Sequence, residues 1–166
     1  MTGPEEAEPR PGLVRMLQRP SFGDRPGAIL EIVGDEALAG RAVRNLHAVV
    51  AEPGEVRGNH LHRDRTEVVT VVSGHFHARF EEARSGAMVD FDDVPAGASF
   101  EIPPGVAHAL RNVGETAGVL VCYSDQPFDR HDVEPARLLG PAPERPAGIS
   151  SLDTPGAGRA ARPASP

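Results

Sequence analysis

An all-β domain, either a sandwich or a barrel, is the fold class this sequence predicts. Three observations carry the prediction. Short segments rich in Val, Ile, Phe and Leu follow one another through residues 13–134, separated by Gly, Pro, Asp and Asn at a spacing typical of such folds. No stretch keeps a helical period for about ten residues, because Pro and Gly interrupt it. Finally, 166 residues are enough for one ordinary domain with a single core and too few to favour two.

Taken in order, residues 1–12 offer little apolar surface and are expected to be a flexible terminus. Strands are then predicted over 28–33, 42–51, 56–62, 67–73, 75–81, 87–92, 98–102, 107–112 and 117–123. Segments 56–62 and 67–73 flank a connection short enough to be tight, and Gly74 supplies the turn that follows. Segment 98–102 ends at Pro103-Pro104-Gly105, where proline fixes φ and glycine takes a positive φ without cost. The last strand is the apolar run Ala117-Gly-Val-Leu-Val-Cys-Tyr123. From Pro135 onward 18 of 32 residues are Pro, Ala or Gly, so 135–166 reads as a flexible tail unable to offset the entropy of ordering it. Leu138 and Leu139 are the exception, apolar enough to cover an edge.

Seventeen basic against 24 acidic residues give a net charge of −7, and the basic ones are scattered. Nucleic acid and anionic membrane are therefore poor partners, and a small-molecule substrate is expected. Cys122 stands alone, makes no internal disulfide and reads as a small core hydrophobe. The amino terminus lacks the pattern of a secretion signal, and no apolar run approaches the roughly 20 residues that span a bilayer. A cytoplasmic location is the expectation.

Two stretches carry chemistry. In Arg57-Gly-Asn-His60-Leu-His62-Arg-Asp-Arg-Thr-Glu67, strand alternation puts His60 and His62 on one face and Leu61 on the other. Glu67 opens the next strand, aimed at the same interior. Two imidazoles and a carboxylate suit borderline first-row divalent ions better than calcium or magnesium. In Gly97-Ala-Ser-Phe-Glu-Ile-Pro103-Pro104-Gly105-Val-Ala-His108-Ala-Leu-Arg-Asn112, a third histidine opens the strand after the turn, and Asn112 lies on its face, able to bond a turn or a ligand. His75 and His77 also share a face, and His47 lies on the strand 42–51; pocket-lining and structural roles are open for all three.

These stretches resemble the two motifs of the cupin superfamily, with Gly54, His60, His62, Glu67 and Gly74 matching the first and Gly97, Pro103, Gly105, His108 and Asn112 the second. The resemblance covers residues 28–128. It implies a single conical antiparallel β-barrel, the double-stranded β-helix or jelly roll, over residues 13–134, commonly as a homodimer. It also implies one divalent transition metal ion (Fe, Mn, Ni, Zn, Co or Cu) on His60, His62, Glu67 and His108.

Among cupins, the segments around Arg57, Pro20–Ile32 and Val121–Asp129 resemble those of deoxysugar and polysaccharide assembly: nucleotide-sugar 3,4-ketoisomerases, 3,5-epimerases and the barrel domain of capsule-sugar reductases. In these families an Arg-Gly-x-His-x-His strand lines the sugar pocket, a histidine removes the proton beside a keto group, and arginine contacts the diphosphate. The resemblance thus implies isomerase or epimerase chemistry on a nucleotide-linked or related sugar. His60, His62, Glu67 and Tyr123 are the catalytic candidates; Arg57, His47, Arg111 and Asn112 are the substrate-binding ones, with Arg63 and Arg65 as further phosphate partners. Arg57 stands three residues before His60, so a bulge at Gly58 is needed to bring both to one side. The families usually lack a complete metal set and carry a tyrosine on the preceding strand, where this chain has His47. An iron-dependent oxygenase and a non-catalytic metabolite-binding domain are the alternatives.

Overall fold

The computed structural model describes residues 13–18, 21–22, 29–34 and 37–140. The expected flexible terminus 1–12 and residues 141–166 of the expected tail lie outside them.

Among the described residues the chain forms strands β1 (Arg15–Gln18), β2 (Ser21–Phe22), β3 (Ile29–Leu30), β4 (Asn45–Ala51), β5 (Val56–His62), β6 (Glu67–Ser73), β7 (Phe76–Glu82), β8 (Met88–Val94), β9 (Ala98–Ile102), β10 (Val106–Asn112), β11 (Gly118–Ser124) and β12 (Val133–Pro135). Two 3-10 turns, Ala37–Gly40 and Arg130–Asp132, are the only helical segments there. One five-stranded sheet runs β1-β9-β6-β11-β4, the other β12-β5-β10-β7-β8, and β2 pairs with β3 separately. Every pairing is antiparallel.

The all-β class holds, but the single closed barrel needs correction, since no ladder among the described residues joins the two five-stranded sheets. The reason lies in the connections: from β4 to β11 the chain crosses to the opposite sheet at each turn except the β7–β8 hairpin. Strands adjacent in sequence therefore face one another across the core, as in a double-sheet jelly roll.

Inward side chains of both sheets meet between them. Val69 and Val71 of β6, Phe100 and Ile102 of β9 and Leu120 of β11 pack with Phe76, Ala78 and Phe80 of β7 and Leu110 of β10. Phe100 lies at ring-centroid distances of 4.9 Å from Phe80 and 5.0 Å from Phe91, the separation of favourable aromatic pairs. This packing fills the side between β7, β8 and β9. The side framed by β4, β5, β6, β10 and β11 carries a cavity of about 710 Å³.

Two local features shape that cavity. On β5 the ladder with β10 pairs His60 with His108 and Gly58 with Ala109, so Asn59 is an extra residue at a bulge. Gly58 has φ +89°, and a Cβ on it would meet the His108 carbonyl oxygen at 2.6 Å, so glycine is required. Asn59 itself is left-handed at φ 57°. The second feature is a strap. Residues 136–140, expected within the tail, dock on the outside of the bulge: Asn59 Oδ1 accepts from the Leu138 and Leu139 amides at 3.0 and 3.1 Å, and Asn59 Nδ2 donates to the Leu139 carbonyl at 2.9 Å. Leu139 is buried.

Candidate functional site

β5 and β10 deliver His60, His62 and His108 from one sheet, and β6 delivers Glu67 from the other. One nitrogen or carboxylate oxygen from each of the four lies within 4.8 Å of all the others. His60 ring centroids are 4.8 Å from His62 and 4.7 Å from His108. His62, Glu67 and His108 are buried, whereas His60 is partly open to the cavity.

Around this cluster the chain adds two residues that the motifs do not contain. Arg65, in the connection between β5 and β6, turns inward, with Nη2 3.0 Å from His62 Nε2 and Nε 3.4 Å from Asp132 Oδ2. Asp132 stands at the end of the second 3-10 turn, its Oδ2 3.3 Å from His62 Nδ1. Its Oδ1 accepts the Asp64 amide at 2.8 Å and its carbonyl the Arg63 amide at 3.0 Å, which fixes the β5–β6 connection. His62 Nε2 thus lies between the Arg65 guanidinium and Glu67 Oε2, 3.4 Å away, while its Nδ1 faces Asp132.

Burial would raise the Glu67 carboxyl, but the imidazoles of His108 at 3.3 Å and His62 at 3.4 Å outweigh it and hold Glu67 well below the usual carboxylate range. His60 moves the other way. Burial first, then the neighbouring His108, His62 and Arg65, lower its pKa to about 4 against the pull of Glu67, so the ring is neutral at pH 7. Burial also raises the Cys122 thiol, which stays protonated in the cavity wall.

The cavity is lined by Val69, Leu110, Leu120 and Cys122 inside and by Asn45, His47, Arg57, Phe128 and Arg130 toward the rim. The bulge brings Arg57 to this side, where it also donates to the Val50 carbonyl at 2.7 Å and pairs with Glu55. His47 lines the rim and contacts Asn45 Oδ1 at 3.0 Å.

Three expected site residues are elsewhere. Tyr123 is fully buried on the opposite face of β11 with Leu38 and Val68, its hydroxyl donating to the Ile32 carbonyl at 3.2 Å. Arg111 alternates away from His108 and donates to the Gly140 carbonyl at 2.8 Å. Asn112 does share the inner face but is consumed by the fold, donating to the Ala51 and Thr116 carbonyls and accepting the Gly114 amide. Arg63 points outward to Glu134, and His75 and His77 pair with Asp93 and Asp90 on β8.

Residues 23–135 match the model of the polysaccharide biosynthesis C-terminal domain, more than half of the chain. The chain belongs to this family. A curated relative is a UDP-2-acetamido-2,6-beta-L-arabino-hexul-4-ose reductase from Pseudomonas aeruginosa, 31% identical over 83 residues. That match takes in 49% of this chain, which spans only about a fifth of the reductase (22%). Solved structures share the fold at low identity. A dTDP-4-dehydrorhamnose 3,5-epimerase from Bacillus anthracis with TDP and PPi bound superposes with TM-score 0.66 at 15% identity, over 78% of this chain and 87% of that one. A sugar 3,4-ketoisomerase from Thermoanaerobacterium thermosaccharolyticum in complex with TDP gives 0.61 at 17%, over 75% and 89%.

The expected divalent metal cofactor is corrected on two grounds. Proteins of this fold are described as binding TDP and pyrophosphate and as epimerases and isomerases of nucleotide sugars, so the two-sheet framework does not bring a metal requirement with it. Within this family member the donor set does not fit a cation either. The Arg65 guanidinium sits 3.0 Å from His62 Nε2 and 3.8 Å from Glu67 Oε1, and a buried cation among the would-be ligands repels a divalent ion. The oxygenase alternative required that ion and falls with it. No helix among the described residues is long and apolar enough to cross a membrane.

Proposed function

We propose that this domain binds a nucleotide-linked ketosugar and moves a proton at the carbon beside the keto group, as an isomerase or epimerase, with His60 as the base. One observation carries the reading: His60 lines the cavity as the least buried member of the cluster, and its surroundings keep it neutral. A neutral imidazole takes a proton from a C–H acidified by the neighbouring carbonyl, and the imidazolium formed in these surroundings gives it back readily. Return to the neighbouring carbon moves the keto group; return to the other face of the same carbon inverts it. His62, which does not line the cavity, acts on His60 through the cluster, whereas Glu67 and His108 also reach the cavity wall.

The rest of the cavity supports the same substrate class. Its volume of about 710 Å³ lies in the range of small-molecule sites. Arg57 and Arg130 at the rim offer planar donors to a diphosphate, which a chain of net charge −7 must meet locally. The apolar wall of Val69, Leu110 and Leu120 suits the methyl side of a deoxysugar. The match to the polysaccharide biosynthesis C-terminal domain supports placing residues 13–134, as one unit, with the sugar-nucleotide proteins of this fold, and a homodimer is part of that reading.

The test is solvent exchange. In D2O the protein incorporates deuterium beside the carbonyl of a dTDP- or UDP-linked 4-keto-6-deoxy sugar, read by NMR, and His60→Asn lowers the rate by about 100-fold or more while nucleotide binding persists. Tight binding with no exchange by the unaltered protein overturns the enzymatic reading in favour of a binding domain.

A further inference from the structure

Phe128 is 68% exposed, and among the side chains described it is the only exposed Phe or Tyr. Leaving a phenyl ring in water forgoes the free energy that burial would supply. Scattered exposed aliphatics are ordinary on a protein surface. This ring has a particular place: it lines the cavity that holds His60, together with Arg57 and Arg130. Exposure along that lining rises from the buried Glu67 and His108, through His60 and Arg57, to Phe128 and Arg130 at the surface.

The chain on either side of the ring is fastened. Asp125 Oδ1 accepts the Thr66 amide at 2.9 Å, its Oδ2 meets Arg41 Nε at 2.9 Å, and Ser124 Oγ donates to the Gln126 carbonyl at 3.0 Å. Pro127 fixes its own φ. After the ring, Asp129 Oδ1 accepts the His131 amide at 2.8 Å and caps the second 3-10 turn. A held backbone therefore displays the ring at the mouth of the cavity. A ligand with its keto carbon at His60 and its diphosphate at the rim arginines carries the group beyond the diphosphate outward, to where Phe128 stands.

We infer that Phe128 is the nucleobase platform of this site, its ring stacking on the face of the base that the diphosphate carries. The inference deepens the nucleotide-sugar reading and rests on its binding half, not on proton transfer. A base presents two π-faces and polar edges, so a flat ring covers a face while the edges stay solvated. Stacking reads the face and not the edge, and thymine and uracil are therefore held alike.

Calorimetry on the whole chain compares TDP, UDP and inorganic pyrophosphate. Phe128 belongs to neither core cluster, so its truncation reads binding rather than folding. Phe128→Ala is expected to weaken TDP and UDP by about tenfold or more and pyrophosphate by less than about threefold. Phe128→Tyr, which keeps a flat ring, should hold both nucleotides within about threefold of the original affinity. The chain contains no Trp, so Phe128→Trp adds one indole, whose fluorescence TDP quenches and pyrophosphate does not. Nucleotide affinity within about threefold in Phe128→Ala, or an equal loss for pyrophosphate, overturns the assignment. The first outcome removes the ring from the base; the second makes it a part of the rim's shape. Failure of the unaltered protein to bind TDP or UDP sinks the platform and the nucleotide-linked substrate together. Failure of deuterium exchange, with nucleotides still quenching the indole, sinks the proton transfer and upholds the platform.

Discussion

Gly58→Ala puts the bulge on β5 to a quantitative test. The added Cβ meets the His108 carbonyl oxygen at 2.6 Å and Ala109 Cα at 3.2 Å, both backbone atoms that cannot swing aside. Ordinary contact begins at 3.4 Å, so β5 and β10 must part by about 0.8 Å at the one point where both carry site residues. Overpacking of this kind costs about 1–3 kcal/mol. Holding alanine at φ +89° adds about 1–2 kcal/mol. A loss of about 3 kcal/mol is expected, or roughly 6–12 °C in Tm for a chain of this size. Gly86→Ala is the control, because φ is +67° there and no atom lies within 4 Å, leaving only the backbone term of about 1–2 kcal/mol. Urea denaturation of both variants, with deuterium exchange on the folded fraction, reads the result. Displacement of His60 and Arg57 should also cut exchange in Gly58→Ala and spare it in Gly86→Ala. If Gly58→Ala is no less stable than Gly86→Ala and exchanges at the original rate, the bulge does not position the site and the reasoning is wrong.

Three further outcomes follow from named contacts. Asn59→Ala strips the acceptor from two strap amides and should cost about 1–3 kcal/mol, while hydrogen exchange at Leu138 and Leu139 accelerates; unchanged protection there would show that the strap is held by something else. Arg57→Ala should weaken TDP binding about tenfold by calorimetry with the His60 resonances little altered, and equal affinity would remove Arg57 from the diphosphate. The pH dependence is set by His60, whose folded pKa of about 4 lies below its ordinary 6.5. Between those values the unfolded chain binds more protons, so the stability from a neutral His60 is complete above 6.5 and drains away as pH falls toward 4. His60→Asn should therefore flatten the denaturation midpoint between pH 7 and 4.5, and exchange by the unaltered protein should stay level down to about pH 5 before falling. An acid limb centred near 6.5 would contradict the low pKa.

The strands were legible because each turn is marked by Gly or Pro: β5, β6 and β9 run over the predicted residues. The two-sheet arrangement was less so, since alternation along a strand says which residues face inward and not which strand they face. Alternation alone also separates Tyr123 from its neighbour Cys122, which lines the cavity, and Arg111 from His108; those two misassignments had a readable signal. The inward turn of Arg65, expected only as a phosphate partner, and the place of Asp132 had none. The first lies in a connection where strand phase is undefined, and the second comes from a 3-10 turn 70 positions after His62, joined to it only by the fold. The metal expectation failed for this reason: residue types and spacing were read, but not that Arg65, between His62 and Glu67, turns its charge inward among them.

Asn59 answers to both sides of its sheet at once. Its backbone must hold a left-handed turn, its side chain must accept from two amides and donate to a carbonyl on the outer surface, and its two neighbours in sequence face the cavity. Few residue types satisfy all of this: aspartate keeps the acceptor but loses the donor, and glycine keeps the backbone but loses both. Position 59 should therefore tolerate substitution as poorly as the histidines while touching no ligand, and a mutational scan scored on activity alone would mistake a fastening for a catalyst.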